Sequence, residues 1–319
     1  MRTVVGILRG GTSSEYPLSI KTGGVILRDL PEDAYEVRDI LVDRGGYWHM
    51  RGIPANPTRV LAGIDVVINA LHGGVGEDGS VQRVLDSMSM PYTGSRALSS
   101  GLSLNKIQAK RVFASAGLPQ ARGIGVILNT DFDMREAIRA IFAEFGPPYI
   151  VKPPSEGASF GIRMAPTILE LPEVLADVLD AHGSALVEEY LRGEEARVGI
   201  IEHFRGQDAY ALPPSHVPVE EDFLAHPAHE AGTIRHAVPS HFSPETKRSL
   251  EDMAKAAHKA LGLSHFSCAD FIVTSRGPML LEVNAIPGLY EGAAFPPMLE
   301  AVGSSNREFL EHAIALARK

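Results

Sequence analysis

Apolar residues recur along this 319-residue chain in two alternating rhythms. In the first third, the short β-branched runs TVVGIL (3–8) and DVVINAL (65–71) alternate with helical spacing. That order favours a parallel sheet of the doubly wound type. The loops GGTSSE (10–15) and LHGGVGEDG (71–79) follow those two runs in the same sense. Ligands in open α/β sheets bind beyond the C-terminal strand ends, so both loops are expected to face one crevice.

The rhythm changes near residue 100. A helix-rich stretch carries SLNKIQAKRVFASAGLP and stops at Gly117 and Pro119. PPYIVKP (147–153) then reads as a buried strand running into the Gly-rich turn PPSEGASFG (153–161). Residues 243–261 carry the clearest helix, with Ser243 as N-cap, Pro244 in the first turn, and Leu250, Met253, Ala254, Ala257 and Leu261 on one face. Further on, FIV and MLLEV, parted by TSRGP, read as a hairpin. These shifts put boundaries near 100 and 185 and divide the chain into units 1–100, 101–185 and 186–319.

Composition narrows the function classes. Hydrophobic residues at 45% and charged residues at 22% are globular proportions, and the length calls for more than one compact unit. A net charge of −9 without any Lys/Arg-rich run argues against nucleic-acid and membrane-surface partners. One cysteine excludes an internal disulfide framework and a Cys-based zinc site. No apolar run approaches ~18 residues, and MRTVVGILRGG reads as a first strand and turn, so a cytoplasmic protein is expected.

Candidate chemistry is densest in HFSCADFIVTSRGPMLLEVNAIPG (265–288). Glu282 and Asn284 are two apart on a strand, hence on one face, and Asp270 lies on the hairpin partner, so three hard oxygens can converge. Such a set suits Mg²⁺, which completes its shell with water and phosphate oxygens. The competing reading is a solvated hairpin with ordinary surface carboxylates; the apolar run around Glu282 counts against it. Lys152 followed by Gly157, Ser159 and Gly161 offers a lysine, backbone donors and a hydroxyl to phosphates, although a plain hairpin with a flexible tip fits equally well. No Walker loop and no G-x-S-x-G elbow is present. Lys106 taken alone is a surface cation, His72 is an acid–base candidate or a structural histidine, and Glu77 and Asp78 either order their loop or bind a cation. His226, His229, His236 and His241 lack metal-ligand spacing and read as solvated.

In order, GGTSSEYPLS, LHGGVGEDGSVQ, MPYTGS, NKIQAK, VKPPSEGASFG, VEEYLRGEE, ALPP and ADFIV…LLEVNAIPG resemble the D-alanine–D-alanine ligase family of ATP-grasp enzymes over nearly the whole chain. The resemblance implies an N-terminal α/β doubly wound domain and two α+β ATP-grasp domains, with ATP between the latter. It implies that Lys106 and Lys152 contact phosphates, that Glu188, Tyr190, Leu191 and Glu195 surround adenine and ribose, and that Asp270, Glu282 and Asn284 hold two Mg²⁺, or Mn²⁺ in their place. Glu15 matches the family's residue for the first amino group, His72 the histidine near that substrate, and Ser159 the second serine of the Gly-rich loop. The family phosphorylates one D-alanine carboxylate and lets the amine of a second attack the acylphosphate, in peptidoglycan (cell-wall) biosynthesis. Small amino acids and ATP are then the partners, and a homodimer is the implied assembly.

Four positions depart from the pattern. The family's arginine two residues before the metal aspartate is Cys268, its first loop serine is Ala158, the serine after the PG turn is Ala293, and a mobile-loop Lys-Tyr pair falls at His229-Glu230. A thiol cannot offer five donors and a fixed charge, so Cys268 is no stand-in for arginine. Arg163, Arg197 and Arg235 are candidates to supply the missing charge. Three classes follow: a carboxylate–amine ligase with D-alanine or another amino-acid substrate, an ATP-binding regulator without catalysis, and an NAD-type oxidoreductase, the last discounted because G-x-G-x-x-G is missing.

Overall fold

The computed structural model describes residues 2–218 and 230–319. Its first sheet contains β1 (Thr3–Gly10), β2 (Tyr35–Val42), β3 (Trp48–Met50), β4 (Ile53–Pro54) and β5 (Val66–Asn69), in the order β4-β3-β2-β1-β5. β1 runs parallel to both β2 and β5, with Val5 beside Val37 and Val66. β3 and β4 add an antiparallel edge, so the parallel character is confined to β2, β1 and β5.

The centre of β1, residues 4–8, is free of polar side chains because both of its faces are covered. Val5 and Ile7 pack with Ile26 of helix α1 (Tyr16–Asp29) and with Ala313 and Ile314 of the helix Asn306–Ala317. Leu8 and Val67 pack on Val81 and Leu85 of the helix Ser80–Ser87. Each such side chain, once buried, contributes about 1.5–3 kcal/mol.

The second sheet is antiparallel and contains β6 (Gly123–Ile127), β7 (Tyr149–Lys152), β8 (Arg163–Ala165) and β9 (Ser184–Glu189), in the order β6-β9-β7-β8. Tyr149, Val151 and Val187 bury against Ile141 and Leu175 of its two helices. A boundary near 185 falls inside β9, so this sheet ends at Glu189.

The third sheet, also antiparallel, contains β10 (Glu194–Glu202), β11 (Ala209–Ala211), β12 (Ser215–His216), β13 (Phe266–Thr274) and β14 (Gly277–Asn284). The helix Pro244–Ala260 starts where Ser243 accepts a hydrogen bond from the Thr246 amide at 3.2 Å, and it buries Leu250, Met253, Ala254 and Ala257 on this sheet. Ile201, Phe266 and Phe295 continue the core beneath β1, so the first and third sheets share one interior. Among the described residues no helix is long and apolar enough to cross a membrane.

Candidate functional site

The hairpin β13–β14 and its neighbour β10 set the frame. Arg197, Asp270 and Glu282 are cross-strand partners in one row, and Gly199, Cys268 and Asn284 form the next row on the same face. A bulge between Asp270 and Phe271 shifts the register just beyond this row. The Asn284 side-chain amide lies 3.4 Å from Asp270 Oδ2. The Asp270 and Glu282 side chains are only 15% and 22% exposed, which rules out the solvated-hairpin reading.

Lysines close the row from the second sheet and the helix Lys106–Ser115. Asn105 caps that helix by accepting from the Gln108 amide at 3.1 Å, and so fixes Lys106 at its first position. Lys106 Nζ lies 3.0 Å from Glu282 and donates to the Glu156 carbonyl at 2.6 Å, tying the Gly-rich turn to β14. Glu188 is 3% exposed and bridges Lys110 at 2.8 Å and Lys152 at 2.5 Å. Burial opposes ionisation of Glu188, but Lys152 and Lys110 outweigh it and hold the carboxyl below its ordinary range. Burial likewise works against Glu282, which Lys106 and Lys152 hold low. Asp270 goes the other way: burial lifts it to about 7, with Arg197 opposing and Glu282 and Glu195 adding to the rise.

A cleft of about 1020 Å³ including its open mouth lies between the second and third sheets. Lys106, Lys152, Ser159, Glu188, Tyr190, Leu191, Glu195, Asp270 and Glu282 all line it, and Ile150, Ile162, Phe271 and Leu281 give it apolar walls. A second cavity of about 650 Å³ adjoins it and is lined by Glu15, His72, Ala158, Cys268, Asn284, Tyr290, Ala293 and Phe295. Ser159, Arg197, Asp270 and Glu282 border both. The site candidates Glu15, His72, Lys106, Lys152, Ser159, Glu188, Tyr190, Leu191, Glu195, Asp270, Glu282 and Asn284 and the departed positions Ala158, Cys268 and Ala293 thus fall in these two cavities, whereas Glu77, Asp78 and Glu230 line neither and His229 lies outside the described residues.

The turn 153–161 arches over Glu15. A Cβ on Gly157 would sit 2.1 Å from Glu15 Oε1, so only glycine allows this approach. Ala158 and Ser159 are both left-handed, at φ 47° and 59°. Ser14 donates to Glu156 at 2.7 Å and pins the turn to the first sheet. Enclosure lifts the Glu15 carboxyl to about 8, burial first and Glu77 second, against Lys106. His72, 4% exposed, shares a 2.7 Å hydrogen bond with Thr22, and burial lowers it to about 4, so it is neutral at pH 7. Glu77 accepts from the Gly73 amide at 2.7 Å and orders its loop.

Cys268 is buried, and burial together with Asp270 raises its thiol far above the ordinary range. It is not a poised nucleophile. Of the three arginines considered as substitutes, Arg163 pairs with Asp177 on the surface and Arg235 is exposed, whereas Arg197 reaches the site. His226 and His229 lie outside the described residues, His241 pairs with Glu194 at 3.2 Å, and His236 is half-buried rather than solvated. Sequence reasoning missed Lys110, although its i+4 spacing from Lys106 was a signal, and missed Thr22 and Tyr290, for which no local signal existed.

Asp270 Oδ1 is buried without a hydrogen-bond partner, with Arg197 Nε 3.5 Å from it. Among the described residues no three His, Cys, Asp or Glu side chains converge on one point; the third donor here is the Asn284 amide. Two cross-strand carboxylates, one of them with an unpartnered oxygen, beside a side-chain amide fit a hard divalent cation that also takes ligands from a phosphate.

Comparison with known proteins agrees with this geometry. The model of the D-ala D-ala ligase C-terminus matches residues 112–315, and that of the D-ala D-ala ligase N-terminus matches residues 51–95. A D-alanine–D-alanine ligase of Geobacter sulfurreducens is 37% identical over 288 residues, 90% of this chain and 85% of the relative. One from Desulforudis audaxviator is 31% identical over 99% of this chain and 98% of its own. The solved D-alanine-D-alanine ligase from Coxiella burnetii has a TM-score of 0.85 at 21% identity, covering 99% of this chain and 94% of that one, a likeness of fold.

Proposed function

This chain belongs to the D-alanine–D-alanine ligase family, and from that premise we propose that it is an ATP-dependent ligase joining two amino acids, with D-alanine as the default substrate. The observation that carries this reading is the border of Ser159, Arg197, Asp270 and Glu282 shared by the two cavities. A phosphoryl donor in the larger cavity and a carboxylate in the smaller one would meet at that border.

In the proposed reaction a carboxylate oxygen of the first amino acid attacks the γ-phosphorus, ADP leaves, and an acylphosphate forms. The amine of the second then attacks the acyl carbon and phosphate departs, leaving an amide. Both steps crowd anions, so fixed positive charge must be in place beforehand. Lys106 and Lys152 supply it from the nucleotide side, each held by a carboxylate. Glu188, Tyr190, Leu191 and Glu195 take adenine and ribose against the apolar walls. Asp270, Glu282 and Asn284 would hold Mg²⁺, or Mn²⁺, which when bound neutralises phosphate charge. Glu15 ionises against the ammonium of the first amino acid, an ion pair that offsets the burial raising its pKa. His72 is a neutral hydrogen-bonding group oriented by Thr22. The three units 1–100, 101–185 and 186–319 each contribute one part, with the middle boundary moved to the end of β9.

A second reading, an acceptor other than D-alanine, is favoured by the buried apolar wall of Cys268, Ala293 and Phe295 in the smaller cavity. An amino-acid screen for ADP and phosphate release, with mass measurement of any dipeptide, tests both. A D-alanyl-D-alanine product supports the first reading and a different dipeptide the second. ATP binding without amino-acid-stimulated phosphate release would refute both and leave a nucleotide-binding regulator.

A further inference from the structure

Resting on the ligase reading, we propose that Arg197 is the catalytic cation of the amino-acid cavity, donating from β10 to the acyl oxygen on which negative charge develops, at a site where β13 carries only Cys268. The smaller cavity presents three carboxylates, Glu15, Asp270 and Glu282, and a neutral His72. Among its described lining residues Arg197 is the one fixed positive charge. Lys106 and Lys152 do not line it; both are held on the nucleotide side by Glu282 and Glu188. A substrate carboxylate entering this cavity meets repulsion from every charged side chain except Arg197.

Position agrees with this assignment. Arg197 is opposite Asp270, and Gly199, the next residue on the same face of β10, is opposite Cys268. Glycine at 199 lets the Phe295 ring pack onto β10, since a Cβ there would meet it at 2.7 Å. The Arg197 charge acts on both Cys268 and Tyr290 across the cavity. Its side chain is 16% exposed, its contacts to Asp270 and Glu195 are long at 3.5 and 4.0 Å, and Nε has no hydrogen-bond partner. A buried guanidinium with donors to spare is ready for an anionic ligand.

The step balances as follows. The amine nitrogen of the second amino acid bonds to the acyl carbon, and the carbonyl π pair moves onto the acyl oxygen, where Arg197 donates. Collapse restores the C=O bond, expels phosphate with its bonding pair, and the amine proton passes to the departing phosphate.

The experiment measures dipeptide formation at saturating substrates and Mg·ATP affinity in wild type, Arg197→Gln, Arg197→Met and Arg197→Met/Cys268→Arg. Either neutral variant is expected to lose about a hundredfold in turnover at saturating Mg·ATP. The double variant, which moves the cation across one strand, is expected to regain at least about tenfold over Arg197→Met. Turnover within about threefold of wild type in the neutral variants, or a loss that disappears when ATP is saturating, overturns the assignment. If both neutral variants fail to bind ATP, the double variant decides: restored turnover supports the assignment and its absence overturns it. Wild type that releases no ADP with any amino acid refutes the ligase reading and this assignment together, whereas neutral variants that ligate like wild type refute the assignment alone.

Discussion

Replacing Glu188 by glutamine keeps the shape of the side chain and removes the charge shared by Lys110 and Lys152. Both lysines stay buried, with side chains 14% and 6% exposed, around a group 4% exposed. Removing one partner of a buried ion pair costs about 3–5 kcal/mol, because the remaining charge is left uncompensated. At about 2–4 °C per kcal/mol, the melting temperature should fall by about 6–20 °C at pH 7. The pH dependence carries a definite sign. Glu188 has a lowered pKa in the folded state, so its stabilisation is complete above 4.5 and is lost as pH falls through the folded value. Scanning calorimetry of wild type and Glu188→Gln should therefore show a gap that is full at pH 7 and narrows below pH 4.5. A gap under about 2 °C at pH 7, or one that widens in acid, would refute the view that this carboxylate holds the two lysines in place.

Glu282→Gln and Lys152→Ala should each weaken Mg·ATP binding by roughly tenfold or more, the worth of one contact to a charged group; titration calorimetry reading wild-type affinity for both would remove these residues from the nucleotide site. Cys268→Arg in the wild-type background should lower whatever ligase activity the screen finds, since a second guanidinium would enter a buried position facing Arg197; unchanged or higher dipeptide yield would contradict this. Glu15 has its folded pKa raised from 4.5 to about 8, so the protein loses stability as pH rises between those values. Glu15→Gln cannot ionise, and its melting temperature relative to wild type should rise from pH 5 to pH 8; a flat difference would show that the carboxyl is not shifted.

The strands at 3–8 and 65–71, the helix 243–261 and the hairpin after Ala269 were legible because each buries the face that its own residue spacing marks. The Glu282-x-Asn284 pair was legible for the same reason, since two residues on a strand share a face whatever surrounds them. The β10–β13 register was not written in any short window. It aligns Arg197 with Asp270, and so decides which of three candidate arginines reaches the cavity. Glu15 against Gly157, Lys110 and Lys152 on Glu188, and Thr22 on His72 likewise join segments distant in the chain. Opposite pKa shifts on carboxyls of similar intrinsic acidity, up for Glu15 and Asp270 and down for Glu188 and Glu282, have no sequence signature. Local periodicity selects elements and their inward faces, but ionisation depends on burial and on which charges lie within a few ångströms, and only the packing of the three sheets around the two cavities decides those.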